Sequence, residues 1–227
     1  MRRIVVRDKV FCMLHDNGDV TSSDSTFIDA VILNTSHHPS RMYYDEGRYQ
    51  CWSIDGVKPD REVNNKQNAT CIGCTKNISG SGDGGSRACR YQKQLAIVLA
   101  NNMEGNIFQL TLSSMSIFGK AVSNKMPLDA YKKYMKSHGV GLESVVTEIR
   151  LDDDYDFPKL LFFPKRPLEE YEHNRCVKRI EEKDSFDATK IHFISHKDNI
   201  EEKDLILKDS SNFSTISQAM GMTADIN

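Results

Sequence analysis

The chain has 227 residues, of which 39% are hydrophobic, enough for one large domain or two small ones with a core of their own. Its start, "MRRIVVRDKVF", lacks the apolar stretch of a signal peptide, and no apolar run approaches the ~20 residues that span a membrane. We therefore expect a cytoplasmic protein with no membrane partner, in which thiols stay reduced and disulfides are rare.

The net charge of −2 hides an asymmetry along the chain. Residues 41–141 carry a net charge of +6, whereas residues 142–227 carry −7. A basic middle suits the neutralisation of phosphates. The acidic C-terminal part suits competition for that surface, or the recruitment of partner proteins.

Apolar segments separated by turn-forming residues predict a series of strands. The predicted strands lie within 1–14 and start at Phe27, Lys93, Gly105, Leu142 and Phe157. The segment "SHHPSRMYYDEGR" predicts a loop, and "NMEG" predicts a hairpin loop between the strands from Lys93 and Gly105.

Three helices are predicted in the second half of the chain. A short one starts at Ser113 with a serine cap, and a longer one, "MPLDAYKKYMKSHG", has Pro127 near its first turn and Gly139 just past its end. The third follows Pro167, with glutamates early and Lys/Arg late, which complements the helix dipole.

This order of elements predicts an α+β fold. We expect a β-rich, OB-like core with an inserted four-cysteine, zinc-ribbon-like segment and helices toward the C-terminus. The predicted core domain is 1–183, with the zinc segment at 49–92, followed by an acidic, flexible tail at 184–227. Within that tail "IHFIS" and "KDLILKD" can each form a short element.

Four of the six cysteines follow the spacing Cys51-x19-Cys71-x2-Cys74-x14-Cys89. A CxxC pair chelates one ion from a tight turn, and tetrahedral zinc then takes two further ligands. The glycine-rich segment cannot bury enough apolar surface to fold alone, and structural zinc supplies ~10 kcal/mol or more. We expect these four cysteines to hold a structural Zn²⁺.

Other interpretations of the cysteines stay open. The four thiols can be free and partly buried, or the CxxC pair can be redox-active, although "CIGCTKNISGSG" does not resemble the start of a helix. His37 or His38 can replace one cysteine as a ligand. Cys12, in a strand, and Cys176, in a helix, are expected to be core thiols.

Cations and aromatic rings are interleaved around the cysteines. Single-stranded nucleic acid is bound by this combination, because cations follow the backbone and rings stack on unpaired bases. The alternative is that the rings only pack the metal segment. The candidate contact residues are Arg41, Tyr43, Tyr44, Arg48, Tyr49, Trp52, Lys58, Arg61, Arg87, Arg90, Tyr91 and Lys93.

The segments "CWSIDGVKP" and "CIGCTKNISGSGDGGSRACRYQKQLAIVL", with the strand and the "PLDAYKKYMKSHG" helix after them, resemble phage-encoded zinc-containing single-stranded DNA-binding proteins. The resemblance spans roughly residues 45–165. It implies an OB-type core, a zinc subdomain, sequence-nonspecific DNA binding and a location in the host cytoplasm. It also implies roles in replication, recombination or transcription. The related zinc proteins use three cysteines and one histidine, whereas this chain offers four cysteines.

Two other functional classes remain open. The zinc segment can be a protein-interaction module that acts as a cofactor of a phage or host RNA polymerase, with the acidic C-terminal region recruiting polymerase or replication proteins. The carboxylates of 152–156 can bind Mg²⁺ as in a nuclease, but they lie in a predicted turn where solvated acids are common. No nucleophile elbow or HExxH motif is present, and His192 and His196 lie in a predicted strand. We expect a protein that is not an enzyme.

Overall fold

Ten strands and four α-helices form the part of the chain that the computed structural model describes, residues 1–22 and 25–191. The strands are β1 (Arg3–Arg7), β2 (Val10–Leu14), β3 (Val20–Ser22), β4 (Phe27–Thr35), β5 (Ser40–Asp45), β6 (Arg48–Ser53), β7 (Cys89–Leu99), β8 (Phe108–Ser113), β9 (Val145–Leu151) and β10 (Leu160–Pro167). The helices are α1 (Ser114–Ile117), α2 (Leu128–Ser137), α3 (Glu170–Ile180) and α4 (Lys183–Ala188).

The strands form one curled, half-barrel sheet. Eight of them follow the order β10-β9-β4-β7-β8-β1-β2-β3, and β5 and β6 extend from β7. The pairs are antiparallel except β1 with β8, which run parallel. The fold is therefore mixed α+β and rich in strands, as the order of segments predicts.

The central strands are buried on both faces because alternate side chains point to opposite sides of a sheet. In β7, Leu95 and Ile97 join the larger apolar core, which α2 covers with Leu128, Tyr131 and Met135. The intervening Ala96 and Val98 join a second core on the other face. These near-continuous apolar runs explain why β4 and β7 are recognisable in the sequence.

Helices α3 and α4 cover the second core through Cys176 and Ala188, which are fully buried. The buried Gln109 side chain of β8 donates hydrogen bonds to the carbonyls of Ala188 and Lys190, each at 2.8 Å. Since α4 begins at the predicted boundary between core and tail, the packed core extends past residue 183.

Strand β7 is eleven residues long and belongs to two parts of the molecule. One edge of its first half, Cys89–Gln92, pairs with β5, and the same edge of its second half, Leu95–Leu99, pairs with β4. The cysteine segment is thus attached to the body by a shared strand. We call β5, β6, the first half of β7 and the connection 54–88 the cysteine module.

The loop predicted for "SHHPSRMYYDEGR" is wrong, because most of that segment is the β5–β6 hairpin. Asp45 and Arg48 pair across a two-residue turn, in which Glu46 and Gly47 have φ angles of +49° and +78°. Two positive φ angles are the geometry that a tight hairpin needs. The "DEG" sequence was the available signal for this turn.

The other predicted elements occur where expected. Strands from Phe27, within Lys93–Asn101 and from Leu142, and the helices from Met126 and Pro167, are all confirmed with shifted ends. The segments "IHFIS" and "KDLILKD", and His192 and His196, lie outside the described residues. None of the helices described has the length and apolar character that crossing a membrane requires.

Candidate metal and nucleic-acid site

Strand pairing places two of the four predicted ligands in one row. Tyr43 of β5 is paired with Cys51 of β6 on one side and with Cys89 of β7 on the other. Directly paired residues of a sheet point to the same face. Cys51 and Cys89 therefore flank the Tyr43 side chain on one face of the cysteine module.

The CxxC turn supplies the other two cysteines to the same face. The Cys71 amide donates to the Val57 carbonyl at 2.8 Å, which ties the turn to the chain that leaves β6. The Asn77 side chain donates to the Cys71 carbonyl at 2.8 Å, and the Asn77 amide donates to the Cys74 carbonyl at 2.9 Å. Asn77 thus holds both cysteines of the turn from one position.

The cysteine module has little apolar core of its own. In the connection 54–88, the buried hydrophobic residues are Val63, Cys71 and Cys74. Val63 belongs to a small cluster with Tyr43 and Cys51 that is separate from the two main cores. The connection therefore depends on few buried apolar side chains and is tied to the hairpin by hydrogen bonds such as Cys71 N–H to the Val57 carbonyl.

All four predicted ligands line one small cavity of about 10 Å³. This volume is about what one water molecule requires. Burial raises the pKa of Cys89 to about 11, and the charges of the other three thiols add to it against an opposing effect of Arg41. Burial also raises the pKa of the Cys51 thiol, with further increases from Cys71 and Cys74.

The four thiols line one cavity, but they are not arranged as the ligands of a metal ion. Among the described residues, no group of three or more His, Cys, Asp or Glu side chains is arranged to hold a metal ion. Strand β5 lies between β6 and β7, and adjacent strands are about 4.8 Å apart, so roughly 10 Å separates the backbones of Cys51 and Cys89. Thiols bind a tetrahedral zinc at about 2.3 Å, so the cavity would have to close on the ion.

The donor set fits a soft metal such as zinc, because it consists of thiols that become thiolate ligands on binding. Thiolates are the soft ligands that zinc takes in structural sites. A four-thiolate site carries excess negative charge, and two cations lie beside the cavity, Arg41 near Cys89 and Lys76 near Cys74. The six cysteines of the chain are all free, and no disulfide competes for them.

Arg41 is buried at the centre of the module, with 6% of its surface exposed. Its Nε donates to the Gly56 carbonyl at 3.1 Å, and its two terminal nitrogens donate to the Asn77 side-chain oxygen and the Tyr91 hydroxyl. Gly56 has a φ of +73°, and a Cβ there would lie 2.7 Å from the Pro39 carbonyl oxygen. The sequence predicted Arg41 as a nucleic-acid contact, but its donors are used within the module.

The remaining predicted contact residues differ in exposure. The exposed ones are Tyr44, Arg48, Lys58, Arg61, Arg87 and Arg90. Those that are half-buried are Tyr49, Trp52 and Tyr91, and those that are buried are Arg41, Tyr43 and Lys93. Tyr43 and Arg41 thus act inside the cysteine module, and the exposed and half-buried residues provide its outer surface.

Trp52 and Arg90 lie in the row next to that of Cys51 and Cys89, and the half-buried Trp52 side chain packs against the cluster of Tyr43, Cys51 and Val63. Both belong to the row in which Met42 of β5 is paired with Trp52 of β6 and with Arg90 of β7. This row combines an indole and a guanidinium within two strand spacings of each other. Two more rings lie at the tip of the hairpin, where Tyr44 and Tyr49 meet edge to face at 5.2 Å.

Most cations of the module surface have no acidic partner. Arg48 forms an ion pair with Glu46 at 3.8 Å. Within the described ranges, no ion pair involves Lys58, Arg61, Arg87 or Arg90. The hydrogen bonds that the Asp55 carboxyl accepts lower its pKa, and the charge of Lys58 lowers it further, so the Lys58 charge is partly balanced. The charges of Arg61, Arg87 and Arg90 are available to an anionic ligand.

Lys93 is buried at the boundary between the module and the main core, with 4% of its surface exposed. Its ammonium group donates to the His37 carbonyl at 3.4 Å. Burial and the nearby Lys132 lower the Lys93 pKa, while Asp129 opposes them. His37 and His38 stack on each other at 4.4 Å in the β4–β5 connection and do not line the cysteine cavity.

A carboxylate of the acidic turn between β9 and β10 is paired with two lysines. Asp152 is 4% exposed, and its two oxygens accept hydrogen bonds from Lys125 at 3.1 Å and Lys159 at 2.7 Å. Burial alone would raise the pKa of Asp152, but these two bonds outweigh it and hold the pKa below its ordinary value. This arrangement makes Asp152 part of the scaffold.

The sequence analysis missed exposed apolar side chains on the module. Ile54 and Val57 follow β6 and are 58% and 63% exposed, and Ile72, between the two cysteines of the CxxC turn, is 90% exposed. Ile78, just beyond the turn, is 59% exposed. The sequence indicates this exposure, because these apolar residues lie in a segment without a strand or an α-helix that could bury them.

No protein-family model matches the chain, and no curated protein or solved structure matches it either. A function for the protein must therefore be inferred from the geometry of the module.

Proposed function

We propose that the protein binds single-stranded DNA without sequence preference and that a structural Zn²⁺ on Cys51, Cys71, Cys74 and Cys89 stabilises the binding module. The observation that carries the proposal is the arrangement of the β5–β6 hairpin beside β7. One row of paired residues directs two of these cysteines into the cavity that all four line, and the adjacent row carries the exposed Arg90 and the half-buried Trp52, which packs against the cysteine cluster. The mechanism is neutralisation of phosphates by cations and stacking of bases on rings.

The zinc part of the proposal is supported by the small number of buried apolar side chains in the module. A long connection with one buried aliphatic side chain, Val63, needs another source of stability. Metal binding supplies folding free energy directly when the site is not formed in the unfolded chain. The ion would have four thiolate ligands and no open position, so its role is structural.

The DNA part of the proposal is supported by charge and exposure together. Arg87 and Arg90 are exposed and without an acidic partner in the part of the chain described, and they flank the ligand Cys89. The basic region 41–141 as a whole carries a net charge of +6. An OB-like core under this module is compatible with the curled, strand-rich sheet.

A role in phage replication, recombination or transcription is the biological setting that the sequence resemblance implies. In that setting the acidic C-terminal region would contact replication proteins or RNA polymerase. That part of the proposal rests on sequence alone, since residues beyond 191 lie outside the described part of the chain.

The test is fluorescence anisotropy of a labelled oligo-dT strand, with zinc content measured by mass spectrometry on the same sample. We expect one zinc per chain and an affinity that falls steeply with salt, because released counterions drive binding to phosphates. Binding that does not change between low and high salt would reject the mechanism. Absence of both zinc and binding would reject the proposal.

A second candidate function is a protein-docking module, as in a cofactor of RNA polymerase. Ile72 and its apolar neighbours favour it, since exposed apolar groups at one site mark contact surfaces for proteins. The discriminating result is a protein that holds zinc but does not bind oligo-dT. Replacing Ile72 with Ser would then be expected to weaken a polymerase pull-down without loss of zinc.

A further inference from the structure

Helix α2 carries three lysines on one side. Lys132, Lys133 and Lys136 are neighbours at helical spacing, and Leu128, Tyr131 and Met135 hold the other side in the main core. Lys133 and Lys136 are exposed and Lys132 is half-buried. In the region that the structure describes, none of the three takes part in an ion pair.

These lysines line an open depression of about 460 Å³. Met135, Val140 and Leu142 line it too, so it combines apolar surface with positive charge. A flat base with a charged phosphate has the same two properties. A plain lysine patch on a convex helix would offer the charge without the apolar surface.

Helix α1 connects α2 to the cysteine module. Phe118, which ends α1, meets the Tyr91 ring edge to face at 5.2 Å, and it is 39% exposed. The α1 helix packs against both β7 and α2. Helix α1 therefore lies between Tyr91 of the cysteine module and α2.

The charge on this side of α2 is poorly balanced. Asp129 lies on the same side, one turn earlier, and is the acidic residue of the helix's first turn. It forms no ion pair with a lysine of α2 among the described residues. Like charges at helical spacing repel one another, so an anion bound between them relieves an unfavourable interaction.

We infer that α2 is a second contact surface for the same single strand, with Lys132, Lys133 and Lys136 binding its phosphates and the depression accepting a base. This inference rests on the proposed function, because the strand reaches α2 from the cysteine module across Tyr91 and Phe118. It extends the binding surface beyond residues 41–93, to which the sequence analysis confined it.

The experiment compares two triple variants in the full-length, zinc-loaded protein. The test variant is Lys132→Gln with Lys133→Gln and Lys136→Gln. The control is Lys9→Gln with Lys178→Gln and Lys183→Gln, which removes the same charge from exposed lysines of the β1–β2 turn, α3 and α4. Lys9 and Lys183 form surface ion pairs with Asp156 and Asp187, so the stability of the control is measured alongside its binding. Gln has nearly the helix propensity of Lys, so both should fold, as circular dichroism would verify.

We expect the test variant to bind oligo-dT ~10-fold more weakly at low salt. The slope of log affinity against log salt should fall by about 2, since each lost phosphate contact on a single strand accounts for ~0.7. The control should keep the slope of the wild type. The variant Asp129→Asn should bind oligo-dT more tightly than the wild type, because it removes a negative charge beside the lysines.

Acetylation of lysines, read by mass spectrometry with and without oligo-dT, locates the contact directly. Protection of Lys133 and Lys136 but not of Lys178 is expected. Equal slopes for the two triple variants in a protein whose wild type binds oligo-dT would overturn this inference and leave the proposed function standing. A wild type that does not bind oligo-dT would overturn both. A test variant that loses binding to anionic vesicles and retains oligo-dT would assign α2 to membranes instead.

Discussion

The guanidinium carbon of Arg41 lies 3.8 Å from the centre of the Tyr91 ring. The same guanidinium donates to the Tyr91 hydroxyl and to Asn77, which in turn holds the carbonyl of Cys71. Through this chain of contacts one buried arginine connects β5, β7 and the CxxC turn. Arg41 therefore uses its donors to hold the strands of the module to the CxxC turn.

Replacing Arg41 with Lys tests that role. Lysine keeps the charge, but its single nitrogen cannot reach the three acceptors that the planar guanidinium bonds through three nitrogens, so the module should lose about 1–3 kcal/mol of stability. We expect faster release of zinc to a chelator and greater sensitivity to urea. Arg90→Lys, at an exposed position of β7, is the control and should leave zinc release unchanged. If the two variants weaken oligo-dT binding equally while both retain zinc, Arg41 is a phosphate contact after all.

Removal of one cysteine tests the proposed metal. Cys71→Ser should abolish zinc binding and loosen the connection 54–88, since that segment has little other buried surface. Zinc stoichiometry and resistance to limited proteolysis report the two effects. Cys176→Ala, in α3, is the control and should retain zinc despite some loss of core stability. Full zinc occupancy in Cys71→Ser would show that a different ligand set operates.

Removing the Trp52 side chain tests base stacking. Trp52→Ala should weaken oligo-dT binding by ~1–3 kcal/mol if the indole stacks on a base. The salt slope should stay unchanged, because no phosphate contact is lost. Zinc content on the same sample separates this outcome from collapse of the module. A variant with the zinc content and the oligo-dT affinity of the wild type would show that the indole only packs within the module.

The pair of lysines around Asp152 gives a prediction for pH. The folded pKa of Asp152 is below its ordinary value of 3.8, so the charge stabilises the fold above that value. The stabilisation is lost as the pH falls through the lower, folded pKa. We expect Asp152→Asn to cost about 1.5–3 kcal/mol at pH 7 in urea unfolding. The difference from the wild type should shrink toward zero in strong acid, and a gap that is constant over pH would argue against this ion pair.

The periodicity of apolar residues was sufficient to predict the strands and helices that pack against a large core. The apolar runs in β4 and β7 and the Leu128–Tyr131–Met135 spacing of α2 each reflect burial by many neighbours. The four-cysteine spacing also identified which thiols share a cavity. These features are local in sequence or repeat at a fixed interval, so a single chain reveals them.

The remaining features depend on contacts between distant parts of the chain. The β5–β6 hairpin alternates weakly because its inner face is lined by an arginine, a tyrosine and a cysteine. Arg41 resembles a surface cation until Tyr91, fifty positions away, supplies its partner. The parallel pairing of β1 with β8 and the burial of α4 have no local signal either.

Strand β7 links two regions whose opening should differ in free energy. Its residues Cys89–Tyr91 pair with β5 alone among the described strands, whereas Leu95–Ile97 are flanked by β4 and β8 and fully buried. Amide protons in the first part should exchange with solvent whenever the cysteine module opens, and those in the second only when the whole protein unfolds. Slow exchange would spread toward Cys89 when the module is held closed, so the amides of one strand would report both the opening of the module and the stability of the whole protein.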